Sequence, residues 1–296
     1  MIIVKLMGGV GNQMFQYAAG RALACRVDTI LKLDVSGYAA PHWRTPRLYL
    51  LDQLRITAGI ASDSQLYASG ALAPKRFGIS WLGKRAGSVL GRRPFTTCKE
   101  LPNCFDTQFL SLQDNTYLCG YWQSELYFQD ISEIVRREFQ PAVPWSRRNL
   151  QLAAEISATN SVALHVRRGD YVNDKSVRDA HGICSLEYYR TCMGQIECAI
   201  GNPHYYFFSD EPQWVRDNIK TSFPKTIVDH NGSRDAIFDI QLMSLCKHNI
   251  LANSSFSWWG AWLNTNPDKK VFAPSRWFCR KEAKDLLPAS WIVIEP

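Results

Sequence analysis

Beyond residue 160 the chain alternates apolar, strand-like runs (161–168, 204–209, 225–229, 248–253, 269–273) with helix-like segments (185–200, 211–219, 234–247, 255–265). That order allows few folds. Strands separated by helices run parallel, and a parallel sheet is covered on both faces, so its central strands read as unbroken apolar runs such as Val162-Ala163-Leu164. Ligands of such sheets bind beyond the carboxyl ends of the strands, which is where chemistry is to be sought.

The amino-terminal part opens in a related way, with a strand (Ile2 to Met7), a glycine turn (Gly8-Gly9-Val10-Gly11), a helix from about 12 to 26 and a strand at 29–34. Residues from about 36 to 115 carry Pro41, Pro46, Pro74, Pro94 and Pro102 without a sustained period and read as an irregular insertion. Tyr117 to Trp122 is strand-like, Ser124 is placed to cap a helix running to Phe139, and Pro141 and Pro144 mark a break. The expected architecture is α/β, with two Rossmann-like domains facing a cleft. The first, residues 1–143, is smaller and more irregular; the second is 144–296.

With 46% hydrophobic residues the chain has ample core. Its nine cysteines are odd in number and include no Cys-x-x-Cys pair, and Met1 runs directly into the strand-like Ile2 to Leu6. Reduced thiols and a cytoplasmic protein are expected, and no apolar run is long enough to span a bilayer. Among the charges behind the net +7, six cations fall between Lys75 and Arg93, interleaved with Phe77, Trp81, Leu82 and Val89. The cluster reads either as a solvated basic face or as peripheral contact with an anionic membrane, at the inner face if the source is bacterial. No nucleic-acid-binding signature accompanies it.

His165-Val166-Arg167-Arg168-Gly169-Asp170-Tyr171 leaves the first buried run of the second half. The rigid fork of an arginine suits phosphate, so a pair at a strand's end points to a diphosphate such as that of a nucleotide-sugar. An ion pair between Arg168 and Asp170, with Arg167 in solvent, explains the same residues. The Arg168-Gly169-Asp170 tripeptide reads as coincidence rather than an adhesion signal.

Gly8 to Gln13 lacks the Lys-Ser/Thr of a P-loop and the third glycine of a dinucleotide fingerprint. It offers either a backbone that approaches a ligand closely, with Asn12 and Gln13 amides for sugar hydroxyls, or a plain turn with a capping asparagine. Asn253-Ser254-Ser255-Phe256 lies at another strand-to-helix junction, where the serines cap a helix whose amino end faces an anion. At least two of Trp258, Trp259 and Trp262 belong to that helix's core. Asp210, after Ser209, either caps the next helix or orients Arg167 or a ribose. Asp239 either faces solvent or bonds a purine edge. No Asp-x-Asp pair and no paired histidine spacing occurs, so charge on a leaving diphosphate falls to arginine and helix ends.

Together, Gly-Gly-Val-Gly-Asn-Gln-Met-Phe-Gln-Tyr-Ala from residue 8, His-Val-Arg-Arg-Gly-Asp-Tyr from 165 and Asn-Ser-Ser-Phe-Ser-Trp-Trp-Gly from 253 resemble the α1,2-fucosyltransferases. The resemblance implies a GT-B-type fold, GDP-fucose as donor, a galactose-terminated glycan as acceptor, inversion to an α-linkage, and no cofactor or metal. It places Arg167 on the donor's β-phosphate with His165 and Asp170 beside it, and Ser254, Ser255 and Phe256 along the phosphates and nucleoside. Asp239 falls on the base side, and Arg168, Ser209, Asp210 and Asn253 count among the donor-binding residues. Asn12, between Gly11 and Gln13, falls near the fucose and acceptor. His165 and Asp170 are candidates for a general base by location alone. Two other readings stay open: a protein O-fucosyltransferase with a similar arginine loop, and a non-catalytic nucleotide- or glycan-binding protein.

Overall fold

The computed structural model describes residues 1–39, 47–72, 94–101, 104–279 and 284–296. The first unit comprises β1 (Ile2–Lys5), α1 (Val10–Arg26), β2 (Leu31–Asp34), β3 (Gly59–Ile60), α2 (Asp63–Ser69), β4 (Thr96–Lys99), β5 (Thr116–Cys119) and α3 (Ser132–Glu138). Its described strands form a parallel sheet in the order β3-β2-β1-β5-β4.

The second unit follows as α4 (Arg147–Ala158), β6 (Ser161–Val166), α5 (Gly169–Asn173), α6 (Lys175–His181), α7 (Leu186–Ile200), β7 (His204–Ser209) and α8 (Pro212–Asn218). It continues with β8 (Lys225–Val228), α9 (Ala236–Leu245), β9 (His248–Ile250), α10 (Ser255–Leu263), β10 (Val271–Pro274) and β11 (Ile292–Ile294). The strand order is β11-β10-β9-β6-β7-β8, again parallel throughout. Two parallel-sheet α/β domains are therefore present, as the alternation predicts, and the architecture is the GT-B type that the resemblance implies.

Strand order locates the ligand crevices. From β6 the chain moves outward through β7 and β8, then returns to the other side at β9, so the switch point lies between β6 and β9. In the first sheet the same reversal falls between β1 and β5. Every residue of β6 is buried, the pattern of a strand covered on both faces.

The two units share one core. Phe15 of α1 lies 4.4 Å from Trp258 and 4.8 Å from Trp259 of α10, and Phe128 stacks on Trp259 at 5.5 Å. Each buried indole N–H of α10 finds an acceptor, Trp258 on Leu286 O, Trp259 on Gly11 O and Trp262 on Glu125 Oε2, so the tryptophans are structural glue.

Several expectations need correction. The helix expected from Ser124 to Phe139 is two 3₁₀ turns, Glu125–Tyr127 and Gln129–Ile131, before α3 begins. The reason lies in neighbouring aromatics with different destinations: Tyr127 packs on Phe109 and Trp122, whereas Phe128 packs on the tryptophans of α10. The insertion holds β3, α2 and β4; the two strands are short, largely exposed sheet edges that leave no apolar alternation to read. Helices α4, α5 and α6 and strand β11 were not expected. The basic stretch from Lys75 to Arg93 lies outside the described residues. No described helix is long and apolar enough to cross a membrane.

Candidate active site

Register makes the arginine loop. Val166 pairs with Ser209, so the residues that follow, Arg167 and Asp210, emerge side by side from adjacent strands. Arg167 Nη1 lies 2.9 Å from Asp210 Oδ2, its Nη2 bonds Asp170 Oδ1, and its guanidinium sits 5.6 Å from the Tyr171 ring centroid. Burial opposes the Arg167 charge, but Asp210 and Asp170 outweigh it and hold the group firmly protonated. The carboxylates take one Nη each, and a guanidinium carries five N–H donors. A Cβ on residue 169 would fall 2.5 Å from Asp210 Oδ2, so glycine there lets the Asp210 carboxylate keep its place beside Arg167.

Arg168 turns elsewhere: its Nε bonds Glu211 Oε2 at 3.0 Å and its guanidinium lies 4.1 Å from the Trp214 ring. This reverses the simple alternative, because Arg167 is the residue paired with Asp170. Arg168, expected among the donor-binding residues, meets its charge on Glu211.

Asp170 is shared. Arg47, from the first unit, bonds Asp170 Oδ2, a partner that no sequence signal marked because Arg47 stands in an irregular stretch. Burial alone would raise the Asp170 carboxyl, but Arg167 and Arg47 hold it below the usual range. His165 is buried, its Nδ1 has no hydrogen-bond partner, and burial with the nearby Arg167 charge pushes it down to about 3. Both residues are poor proton acceptors near neutrality, contrary to the expectation drawn from their location.

Across the switch point, Ser254 Oγ accepts the Phe256 N–H at 3.3 Å and so caps α10, with Ser255 half-buried in its first turn. The Phe256 ring lies 5.4 Å from that of His165. Asn253 is a strut instead: its Nδ2 donates to His181 O at 2.7 Å, and its carbonyl accepts from Tyr171 Oη. Ser209 Oγ accepts the Glu211 N–H, which makes it a turn former. The Asn253 and Ser209 side chains, expected among the donor-binding residues, are engaged in these backbone contacts. Tyr171 and His181, missed in the sequence, stack at 4.9 Å and carry Arg167 on top.

Asp239, expected on the base side, lies in the first turn of α9, where Oδ1 accepts from Asn231 Nδ2 at 2.6 Å. Burial, reinforced by Asp235 and opposed by the Asn231 bond, pushes this carboxyl up to about 7.

In the first unit, Asn12 Oδ1 accepts from Gln123 Nε2 at 2.7 Å, and Gln123 is another residue the sequence did not reveal. Gln13 is buried and committed, donating to Leu48 O and accepting from Leu50 N, so its amide does not serve sugar hydroxyls. Gly11 is where the two units touch: a Cβ there would meet the Ser255 carbonyl carbon at 2.5 Å. The amino ends of α1 and α10 thus converge. Among the described residues, no three His, Cys, Asp or Glu side chains gather as they would around a metal ion.

The family model for glycosyl transferase family 11 matches residues 100–295. The chain belongs to glycosyl transferase family 11. Over its whole length it is 30% identical to an α-1,2-colitosyltransferase of Escherichia coli, covering 99% of that protein. It is 26% identical to galactoside α-(1,2)-fucosyltransferase 1 of Alouatta caraya across 98% of this chain and 76% of that one. The crystal structure of POFUT1 in complex with GDP shares the fold, with a TM-score of 0.50 at 15% identity over 92% of this chain and 97% of that one. This family 11 member is accordingly a glycosyltransferase, and its arginine loop and capped helix flank the switch point where such a sheet binds its ligand.

Proposed function

We propose that the chain transfers L-fucose from GDP-fucose to the 2-hydroxyl of a terminal galactose, inverting at the anomeric carbon to give an α1,2 linkage. The observation that carries this reading is the Arg167 guanidinium, fixed between Asp170 and Asp210 at the switch point and across from the amino end of α10. Two relatives named for α-1,2 transfer support the linkage. In its ionised form the Asp239 carboxylate suits the adjacent N–H donors of a guanine edge.

In this reaction the galactose oxygen attacks C1 of the fucose on the face opposite the diphosphate. The C1–O bond breaks and its electron pair leaves on the β-phosphate oxygen, where Arg167 and the N–H groups of α10 meet the charge. Since His165 and Asp170 are weak bases, departure runs ahead of attack and the hydroxyl proton is lost late, to water. Charge is met by the chain's own groups, without a divalent ion.

A second reading keeps the site and changes the donor sugar to colitose, which lacks the 3-hydroxyl of fucose; the full-length match to a colitosyltransferase favours it. Incubation of lactose with GDP-fucose or GDP-colitose, followed by mass spectrometry and linkage analysis by NMR, separates the two. An α1,2-fucosylated product is expected. GDP binding without product from either donor would leave a binding protein and overturn the assignment.

A further inference from the structure

The buried amide of Gln13 uses both of its ends on one short segment, residues 47–50: Nε2 donates to Leu48 O at 2.7 Å and Oε1 accepts from Leu50 N at 3.1 Å. Leu50 and Leu51 sink into the core shared by the two units. The Tyr49 ring lies 6.3 Å from that of Tyr38, whose hydroxyl donates to Gly8 O at 3.0 Å. The backbone from Leu48 to Leu50 is therefore clamped beside the amino end of α1, and Arg47 leaves it from a fixed point.

From there Arg47 reaches the second unit. Its Nη2 bonds Asp170 Oδ2, while Arg167 Nη2 takes Oδ1 of the same carboxylate. The torsion about the Cβ–Cγ bond of an aspartate has broad wells, so a carboxylate held at one oxygen still turns. Held at both, it is fixed. An ion pair whose arginine side chain is 31% exposed adds little stability on its own. Its effect falls on the Asp170 carboxylate, which is nearly buried and is one of the two that aim Arg167.

Resting on the fucosyl-transfer reading, we propose that Arg47 is a positioning residue for Arg167: it reaches over from the first unit, locks the Asp170 carboxylate, and so makes the aim of the Arg167 guanidinium depend on both units. Arg47 acts through Asp170 and does not touch the diphosphate. The charge that appears on the leaving group is then met by a side chain of the second unit whose support comes in part from the first. Such support matters because a reacting group must be held close to its productive geometry by neighbours that are themselves fixed.

The test is a double-mutant cycle in steady-state kinetics with GDP-fucose and lactose, alongside GDP titration calorimetry. Arg47→Met should lower kcat about tenfold or more while GDP affinity stays nearly unchanged. Arg47→Lys, which keeps a cation able to reach Asp170, should recover most of that loss. In an Arg167→Lys background no fork is left to aim, so there Arg47→Met should lower kcat less than about twofold further; a merely structural role would cost the same in either background. Unchanged kcat in Arg47→Met, or an equal loss in both backgrounds, overturns the positioning role. A fall in GDP affinity that matches the fall in kcat would make Arg47 a ligand of the diphosphate and overturns it as well. A wild-type protein that binds GDP but transfers from neither GDP-fucose nor GDP-colitose overturns the function reading and this inference with it.

Discussion

Arg167 Nη1 and Asp210 Oδ2 lie 2.9 Å apart, so the strand next to β6 supplies the carboxylate that aims the guanidinium leaving β6. In the proposed reaction, a fork held from two sides is preorganised for charge that appears only when the donor bond breaks. Arg167→Lys keeps the charge and loses the fork. We expect kcat to fall about 10²–10³-fold in Arg167→Lys, the scale for losing one preorganised donor group. Asp210→Asn should lower kcat less, with a larger rise in the donor KM. Near-normal turnover of folded Arg167→Lys and Arg167→Ala variants, checked by circular dichroism, would remove Arg167 from the mechanism.

The contact between the two units is equally specific. At Gly11 an added methyl would meet backbone of Ser255 and Phe256, which cannot rotate away, whereas at Gly9 an added methyl meets nothing within 4 Å. Gly11→Ala should therefore destabilise the chain by about 1–3 kcal/mol, the usual cost of overpacking, while Gly9→Ala is silent. Trp259→Phe, which strands the Gly11 carbonyl, should cost about 1–3 kcal/mol. Equal melting temperatures for Gly9→Ala and Gly11→Ala would refute the close approach.

What the sequence discloses follows from how local the cause is. The alternation after residue 160 is a local signal, and β7 matches its expected span residue for residue. Asn12, Arg167, Asp170 and Ser254 stand in short motifs, and the sequence offers each as a site candidate. It does not offer Arg47 and Gln123, because their importance arises from a partner 123 and 111 residues away. Asn253 and Gln13 show the converse: a polar side chain in a motif looks the same whether it faces a ligand or braces the backbone of a neighbouring segment, as both do here.

Two desolvated groups should give opposing pH dependences of stability. His165, held at about 3 in the folded chain against an ordinary value of 6.5, binds a proton only after unfolding within that window, so stability falls as pH drops from 6.5 towards 3. Asp239, raised from 3.8 to about 7, keeps in the folded chain a proton that the unfolded chain has lost, so stability falls as pH rises from 4 to 7. Denaturant midpoints measured from pH 4 to 8 should separate them. Asp239→Asn removes the second effect and leaves a curve that rises more steeply with pH; His165→Phe removes the first and leaves one that declines. Identical curves for Asp239→Asn and wild type would show that this carboxyl is ordinary.

The same electrostatics governs the last prediction. The Arg167, Arg47, Asp170 and Asp210 side chains carry two charges of each sign, so a diphosphate entering among them competes with carboxylates for guanidinium donors. What the cluster lacks in net charge, the proposed reaction draws from the amino end of α10 as an oriented dipole. Transfer should accordingly proceed at the same rate in excess EDTA. Rising salt, which screens partly exposed charges over a Debye length of about 8 Å at physiological ionic strength, should raise the donor KM and leave kcat nearly constant. Loss of product in EDTA and its return with manganese would show that a divalent ion, and not Arg167 with the helix end, meets the charge on the leaving diphosphate.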